Sequence, residues 1–214
     1  MKENLGFEAE EKLLLALKDG SESSFDQIYD TLYPALYNYG FRLCRSEDLV
    51  KDCVQDTFIE IWQKRHGLEK INSLKFYLFK IIRRKIFAYL DAEAKAENKI
   101  KLAILNGEDF LLLFKVDQLE KECELPEIIT SKISKAISML TARQKEAIML
   151  KFYENLSYSE IAGVMDLKNT KYARQLVYRA LNELKESLSI EYGISRYASL
   201  LYLITSVDLL KTIT

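Results

Sequence analysis

Between residues 168 and 179, Lys168, Lys171, Arg174, Gln175, Tyr178 and Arg179 recur at intervals of one, three and four. Wound into a helix, residues so spaced share one side of it. Their chemistry is that of recognition: an arginine forks onto guanine, a glutamine pairs with adenine, and lysine and tyrosine hold phosphate oxygens. A second cationic run comprises Lys70, Lys75, Lys80, Arg83, Arg84 and Lys85, with no acidic residue between Lys70 and Leu90. Phe76, Tyr77, Phe79, Phe87 and Tyr89 interleave with it. Cations beside rings suit a single nucleic-acid strand, because any base can stack on an aromatic face while the backbone is neutralised. The competing use of these rings is as core, which is the favoured reading for Tyr77. A third group, Asp52, Gln55 and Asp56, sits at i, i+3 and i+4 within an otherwise apolar segment and so presents carboxylates and an amide on one outward side.

Bond-making chemistry has little to work with. The chain has one histidine, His66, no glycine-rich phosphate loop and no cluster of metal-ligand residues, so no catalytic residue, cofactor or metal site is expected. Cys44, Cys53 and Cys123 are odd in number and widely spaced, which fits a reducing cytosol better than a disulfide framework. The acidic stretch Met1 to Glu11 lacks the basic and apolar segments of a secretory signal, and a cytoplasmic protein is expected.

The elements that position these groups read as helices throughout. Seven glycines and two prolines are too few for the turns of a many-stranded sheet in 214 residues, whereas Leu, Ile, Lys, Glu and Ala are plentiful. An all-α fold of two small domains is expected. A first short helix runs from Glu8 to Lys18 and closes at Gly20. Ser23 or Ser24 caps the next, which carries Phe25, Ile28, Tyr29 and Leu32 up to a bend at Pro34, with a further helix through Leu36, Tyr39, Phe41 and Leu43. Ser46-Glu47-Asp48 opens a long helix with the stripe Leu49, Val50, Cys53, Val54, Phe58, Ile61 and Trp62, ending near His66-Gly67. Ser73 caps another, buried along Leu74, Tyr77, Leu78, Ile81, Ile82 and Phe87 to about Leu90.

Helical periodicity returns at Ile129, Ile133, Ile137 and Leu140, then Thr141 caps a helix containing Ala147, Ile148, Leu150 and Phe152. Ser157-Tyr158-Ser159-Glu160 has capping-box spacing and opens a short helix with Ile161, Ala162, Val164 and Met165. The turn Asp166 to Asn169 leads into a long helix to about Leu188, with Leu176, Val177, Ala180, Leu181 and Leu184 inward. Short helix, turn and long basic helix make a helix-turn-helix, whose second helix fits a major groove.

Four segments follow: a first domain over 1–92, a linker over 93–127, a second domain over 128–189 and an apolar tail over 190–214. From Asp91 to Thr130, ten acidic residues face five lysines, which explains how a chain with two basic faces has a net charge of −1 and a pI near 6.0. An acidic linker between basic faces also predicts that the free protein binds DNA poorly. In the tail, the apolar run Tyr197 to Val207 is eleven residues long, too short for the roughly 20 that span a bilayer, and is expected to cover an apolar surface without membrane insertion.

The run Asp52-Cys53-Val54-Gln55-Asp56-Thr57-Phe58-Ile59-Glu60-Ile61-Trp62 resembles region two of the extracytoplasmic-function (ECF, group IV) sigma factors, and Tyr77-Leu78-Phe79-Lys80-Ile81-Ile82 resembles the segment that follows it. Leu140-Thr141-Ala142-Arg143-Gln144-Lys145-Glu146, Leu156 to Ala162, and Tyr178-Arg179-Ala180-Leu181 are similar to that family's region four, in the same order. The resemblance covers about two thirds of the chain. It implies a subunit that directs bacterial RNA polymerase to promoter DNA without catalysis of its own, with the polymerase core and the promoter as partners and room for an anti-sigma factor.

By position, Asp52, Gln55 and Asp56 would meet the clamp helices of the largest core subunit. Lys80, Arg83 and Arg84, with the loop Gly67 to Ser73, would capture the melted −10 element. Lys171, Arg174, Gln175, Tyr178 and Arg179 would read the −35 element as duplex. The chain departs from the family at Arg84, where asparagine is common nearby, at Thr141 in place of proline, and in a turn, Asp166 to Asn169, that lacks the usual glycine. The alternative, a stand-alone helix-turn-helix regulator, leaves the Asp52 to Trp62 motif without a purpose.

Overall fold

A computed structural model describes residues 7–71, 73–95 and 135–189, and every regular element among them is helical. In chain order these are α1 (Phe7–Lys18), α2 (Glu22–Cys44), α3 (Glu47–Lys64), a 3-10 turn (Arg65–Lys70), α4 (Leu74–Lys95), α5 (Ala142–Ile148) running into a π-helical turn (Met149–Tyr153), α6 (Tyr158–Val164) and α7 (Thr170–Ser189). The chain divides into two compact units, with α1 to α4 in the first and α5 and α7 in the second. Residues 96–134, which hold most of the 93–127 linker and the expected helical positions Ile129 and Ile133, and the tail over 190–214 lie outside the described residues, and so do the expectations placed on them.

In the first unit α2, α3 and α4 pack against one another, and α1 covers α2 and the 3-10 turn. The shared core is built from Leu36, Tyr39, Leu43, Val50, Val54, Ile61, Leu78, Phe79, Ile82 and Ile86, all with almost no exposure. Tyr39 meets Phe79 ring to ring at 5.0 Å. The helices come close because α2 has a glycine at the crossing. A Cβ on Gly40 would lie 2.9 Å from Val50 Cγ1 and 3.0 Å from Ile86 Cδ1. Gly40 thus trades roughly 1 kcal/mol of helix propensity for backbone-close packing.

Two sequence expectations for this unit need correction. The cap of α2 is Ser21, not Ser23 or Ser24: its side chain accepts from the Ser24 amide at 3.3 Å, while Ser24 itself is buried. The chain also does not break at Pro34, because α2 continues through it to Cys44. A proline at 34 deprives the Asp30 carbonyl of its helical donor, but both residues face solvent, so water can satisfy that oxygen.

Across the same point runs a ladder of rings at i, i+4 spacing. Tyr29 meets Tyr33 at 5.1 Å, Tyr33 stacks on Tyr37 at 6.1 Å, and Tyr37 stacks on Phe41 at 6.1 Å. The Arg45 guanidinium closes it, 5.4 Å over Phe41. Such pairs are worth about 0.5 kcal/mol each on a helix and act on both sides of the proline. α4 likewise overruns its expected end near Leu90, continuing through Asp91-Ala92-Glu93-Ala94 to Lys95, a stretch with alanine at alternate positions and no breaker.

In the second unit the expected caps are present. The Thr141 hydroxyl accepts from the Gln144 amide, and the Gln144 side chain accepts from the Thr141 amide at 2.8 Å, a complete capping box. Ser157 and Glu160 form the same reciprocal pair at the start of α6, with the Ser157 amide donating to Glu160 at 2.8 Å. Asn169 caps α7 by accepting from the Tyr172 amide. Gln144 also donates to Glu183 at 2.7 Å, which ties the first turn of α5 to α7. The turn before α7 places Asp166 at φ 49°, the left-handed conformation that glycine usually supplies and that aspartate tolerates better than most side chains.

Candidate nucleic-acid interface

Three surfaces carry the residues singled out in the sequence. On α3, Leu49, Val50, Cys53, Val54, Thr57, Phe58 and Ile61 are buried, and Asp52, Gln55 and Asp56 are exposed on the opposite side. The structure brings these three together with Ile59, a large aliphatic side chain 46% exposed. Carboxylates and an amide around one exposed isoleucine make a surface for docking another macromolecule: the aliphatic group supplies burial and the polar ring supplies register. Ile59 was not among the expected contacts, although its place one turn after Gln55 would have pointed to it.

On α4 the expected trio separates. Lys80 and Arg84 face solvent, whereas Arg83 is only 9% exposed, with its guanidinium 4.2 Å over the Phe87 ring. The rings separate too: Phe79 is core, Phe76, Tyr77 and Phe87 are half-buried, and Tyr89 is exposed. Tyr77 therefore falls between the two readings weighed for it. A residue from α3 completes this edge. Glu60, whose side chain is 15% exposed, meets Lys64 at 2.7 Å and Arg84 at 3.5 Å through Oε1 and Lys85 at 3.2 Å through Oε2. The hydrogen bond from Lys64 is the largest influence holding the Glu60 carboxyl below its ordinary range, with Lys85 adding to it. The pattern that exposes Glu60 in sequence is the i, i+4 pair with Lys64; its reach to α4 is a tertiary fact.

On α7 the split between buried and exposed faces follows expectation. Val177, Ala180, Leu181 and Leu184 are buried, Leu176 is half-buried, and Lys171, Arg174, Gln175, Tyr178 and Arg179 are exposed. Tyr178 is 54% exposed and Tyr172, which the sequence reading passed over, 49%. Tyr158, in the first turn of α6, is the other residue missed. Its ring carries the Arg174 guanidinium at 5.3 Å and the Lys151 ammonium at 4.6 Å. An arginine held over a ring keeps its full charge while losing conformational freedom, so the contact positions Arg174 without neutralising it.

Residues 28–96 match the family Sigma-70 region 2, and residues 130–184 match Sigma-70, region 4; together they make up more than half of the chain. The chain belongs to the ECF sigma factors. Among its curated relatives are the ECF RNA polymerase sigma factors SigX and SigM of Bacillus subtilis. SigX is 23% identical over 79% of this chain and 86% of its own length, and SigM is 23% identical over 76% and 93%. The sigma factor RpoE of Bartonella quintana, solved with the anti-sigma factor NepR, is 25% identical, with a TM-score of 0.54 over 78% of this chain and 98% of its own. CnrH, solved with the cytosolic domain of CnrY, shares the fold at a TM-score of 0.53 and 19% identity. This sigma factor directs RNA polymerase to promoters; its region two takes in most of α2 together with α3 and α4, and its region four takes in α5, α6 and most of α7.

Among the described residues no helix is long and apolar enough to cross a membrane, and no group of three His, Cys, Asp or Glu is arranged to hold a metal. Cys44 and Cys53 are unbridged and buried, and burial pushes the Cys53 thiol up to about 11.

Proposed function

We propose that the sigma factor divides its work among three helices. α3 docks on the polymerase core through Asp52, Gln55, Asp56 and Ile59. α4 captures the melted non-template strand of the −10 element with Lys80 and Arg84, Arg83 serving from a more sheltered position. α7 reads the −35 element in the major groove through Lys171, Arg174, Gln175, Tyr178 and Arg179. The polymerase performs all bond chemistry and the sigma factor contributes binding energy alone, acting in the cytoplasm where polymerase and promoter are. The domain limits that go with this reading are 1–92 and 128–189, joined by the 93–127 linker and followed by the 190–214 tail. An anti-sigma protein is a further partner, as in the RpoE–NepR pair.

The observation that carries this reading is the exposed Asp52–Gln55–Asp56 group on a helix whose other side is core. A DNA-binding regulator that works alone has no use for it. The test is binding of the purified protein to bacterial core RNA polymerase, with Asp52→Ala/Gln55→Ala as comparison. Tight binding that the double variant loses is expected. A folded wild-type protein that does not bind core polymerase would overturn the reading.

A further inference from the structure

Glu60 is the acid that meets Arg84 and Lys85 of α4, whereas Arg83 lies 3.8 Å from Asp166. Glu60 is well sheltered and stands among Lys64, Arg84 and Lys85, all within 3.5 Å. These partners differ in how firmly they are held. Lys85 is 25% exposed and sits at the root of the pair, while the Arg84 side chain is 68% exposed and at the longest distance. One carboxylate cannot neutralise three cations, so the group has a residual charge of about +2, and the most exposed member is the one held most loosely.

We propose that Glu60 is an internal counterion for Arg84 and Lys85 that sets the strength and the salt dependence of single-strand capture by α4. In the free protein Glu60 occupies the Arg84 guanidinium. A phosphodiester of the melted strand takes its place, leaving Glu60 on Lys85 and Lys64. Each capture then exchanges a weak internal pair for a phosphate pair, so the edge binds backbone less tightly than its count of cations would allow. Glu60 touches no nucleic acid in this scheme. It is a positioning residue, and the inference rests on the proposed −10 role of α4.

The experiment measures binding of the holoenzyme to a fluorescent single-stranded −10 oligonucleotide over a series of salt concentrations, for wild type, Glu60→Gln, Arg84→Ala, and the double variant. Glu47→Gln is the charge-matched control. It removes the same charge from the same helix, thirteen residues away and therefore roughly 20 Å along the axis, beyond a Debye length at ordinary salt. Glu60→Gln is expected to tighten binding several-fold and, because it releases Lys85 and Lys64 as well as Arg84, to steepen the plot of log K against log salt by up to about 0.7, the increment for one more phosphate neutralised on a single strand. Glu47→Gln should match wild type, and Glu60→Gln should have a smaller effect once Arg84 is alanine.

The inference is overturned if Arg84→Ala weakens binding while Glu60→Gln leaves affinity and slope unchanged or lowers them. If Arg84→Ala is also silent, the −10 role of α4 falls, and the inference with it. Should Glu60→Gln melt early, Glu60→Asp, with the charge drawn back by one methylene, must shift slope and affinity in the same direction by less; no shift overturns the proposal.

Discussion

Each of the two basic surfaces holds one exposed arginine, and the two are held by opposite means. On α4, Arg84 is tied to a carboxylate, Glu60, 3.5 Å away. On α7, Arg174 lies 5.3 Å over the ring of Tyr158. An ion pair lowers the effective charge offered to DNA and can be exchanged for a phosphate; a cation–ring contact leaves the charge intact and restrains the direction of the fork. The difference matches the two substrates proposed for these helices. A melted strand has a pliable backbone and is held by adjustable contacts, whereas a base edge in a major groove has a fixed place and rewards a side chain already aimed at it.

The most damaging change to one side of this comparison is Gly40→Leu. The new side chain would start 2.9 Å from Val50 and 3.0 Å from Ile86, in the centre of the first unit. Overpacking of this kind is expected to cost roughly 3 kcal/mol. Calorimetry of the full chain should show one transition moved down, and strand capture should fail while duplex binding survives. An unchanged thermogram would mean that α2 can shift away from α3 and α4.

Next in size is Tyr158→Leu. It keeps an apolar side chain at the start of α6 but removes the ring under Arg174, with an expected loss of about 1 kcal/mol in −35 duplex affinity. Direct removal of Arg174 should cost more, roughly 1–3 kcal/mol, and relax specificity at one base position. Equal affinity for wild type and Tyr158→Leu would show that Arg174 needs no support.

The smallest effect is one of acidity. The lowered value of Glu60 means that the folded state favours its ionised form. Its contribution to stability is complete above the ordinary carboxyl value of 4.5 and is lost as pH falls through the lowered folded value. Thermal melts of wild type and Glu60→Gln should therefore differ near neutrality and converge in acid. A constant difference would place the stabilisation elsewhere. α7 has no counterpart, since the contact between Arg174 and Tyr158 involves no acid.

Much of this architecture was legible in the residues because it is local. Thr141 with Gln144, and Ser157 with Glu160, satisfy the first amides of their helices within four residues, so the spacing alone identifies them. The inward set on α7 follows from helical period, as does the outward trio on α3. What escaped depends on which contacts the packed chain uses. Pro34 signals a break unless the Tyr29–Tyr33–Tyr37–Phe41 ladder bridges it, as it does here. Arg83 and Arg84 are adjacent and chemically identical, and only packing decides that the first lies over Phe87 while the second points outward. Glu60 reads as a solvated partner of Lys64 until α4 is placed beside it. In the turn before α7, Asp166 adopts the conformation expected of glycine, a substitution that spacing alone does not reveal.

The most direct test of this division of labour is a crossed experiment on one promoter, with holoenzyme carrying Arg84→Ala or Arg174→Ala, read by upstream duplex footprinting and by binding to a pre-melted −10 template. The account predicts that Arg174→Ala loses upstream protection but keeps the pre-melted template, and that Arg84→Ala does the reverse. Loss of both signals to the same degree by either variant would contradict it.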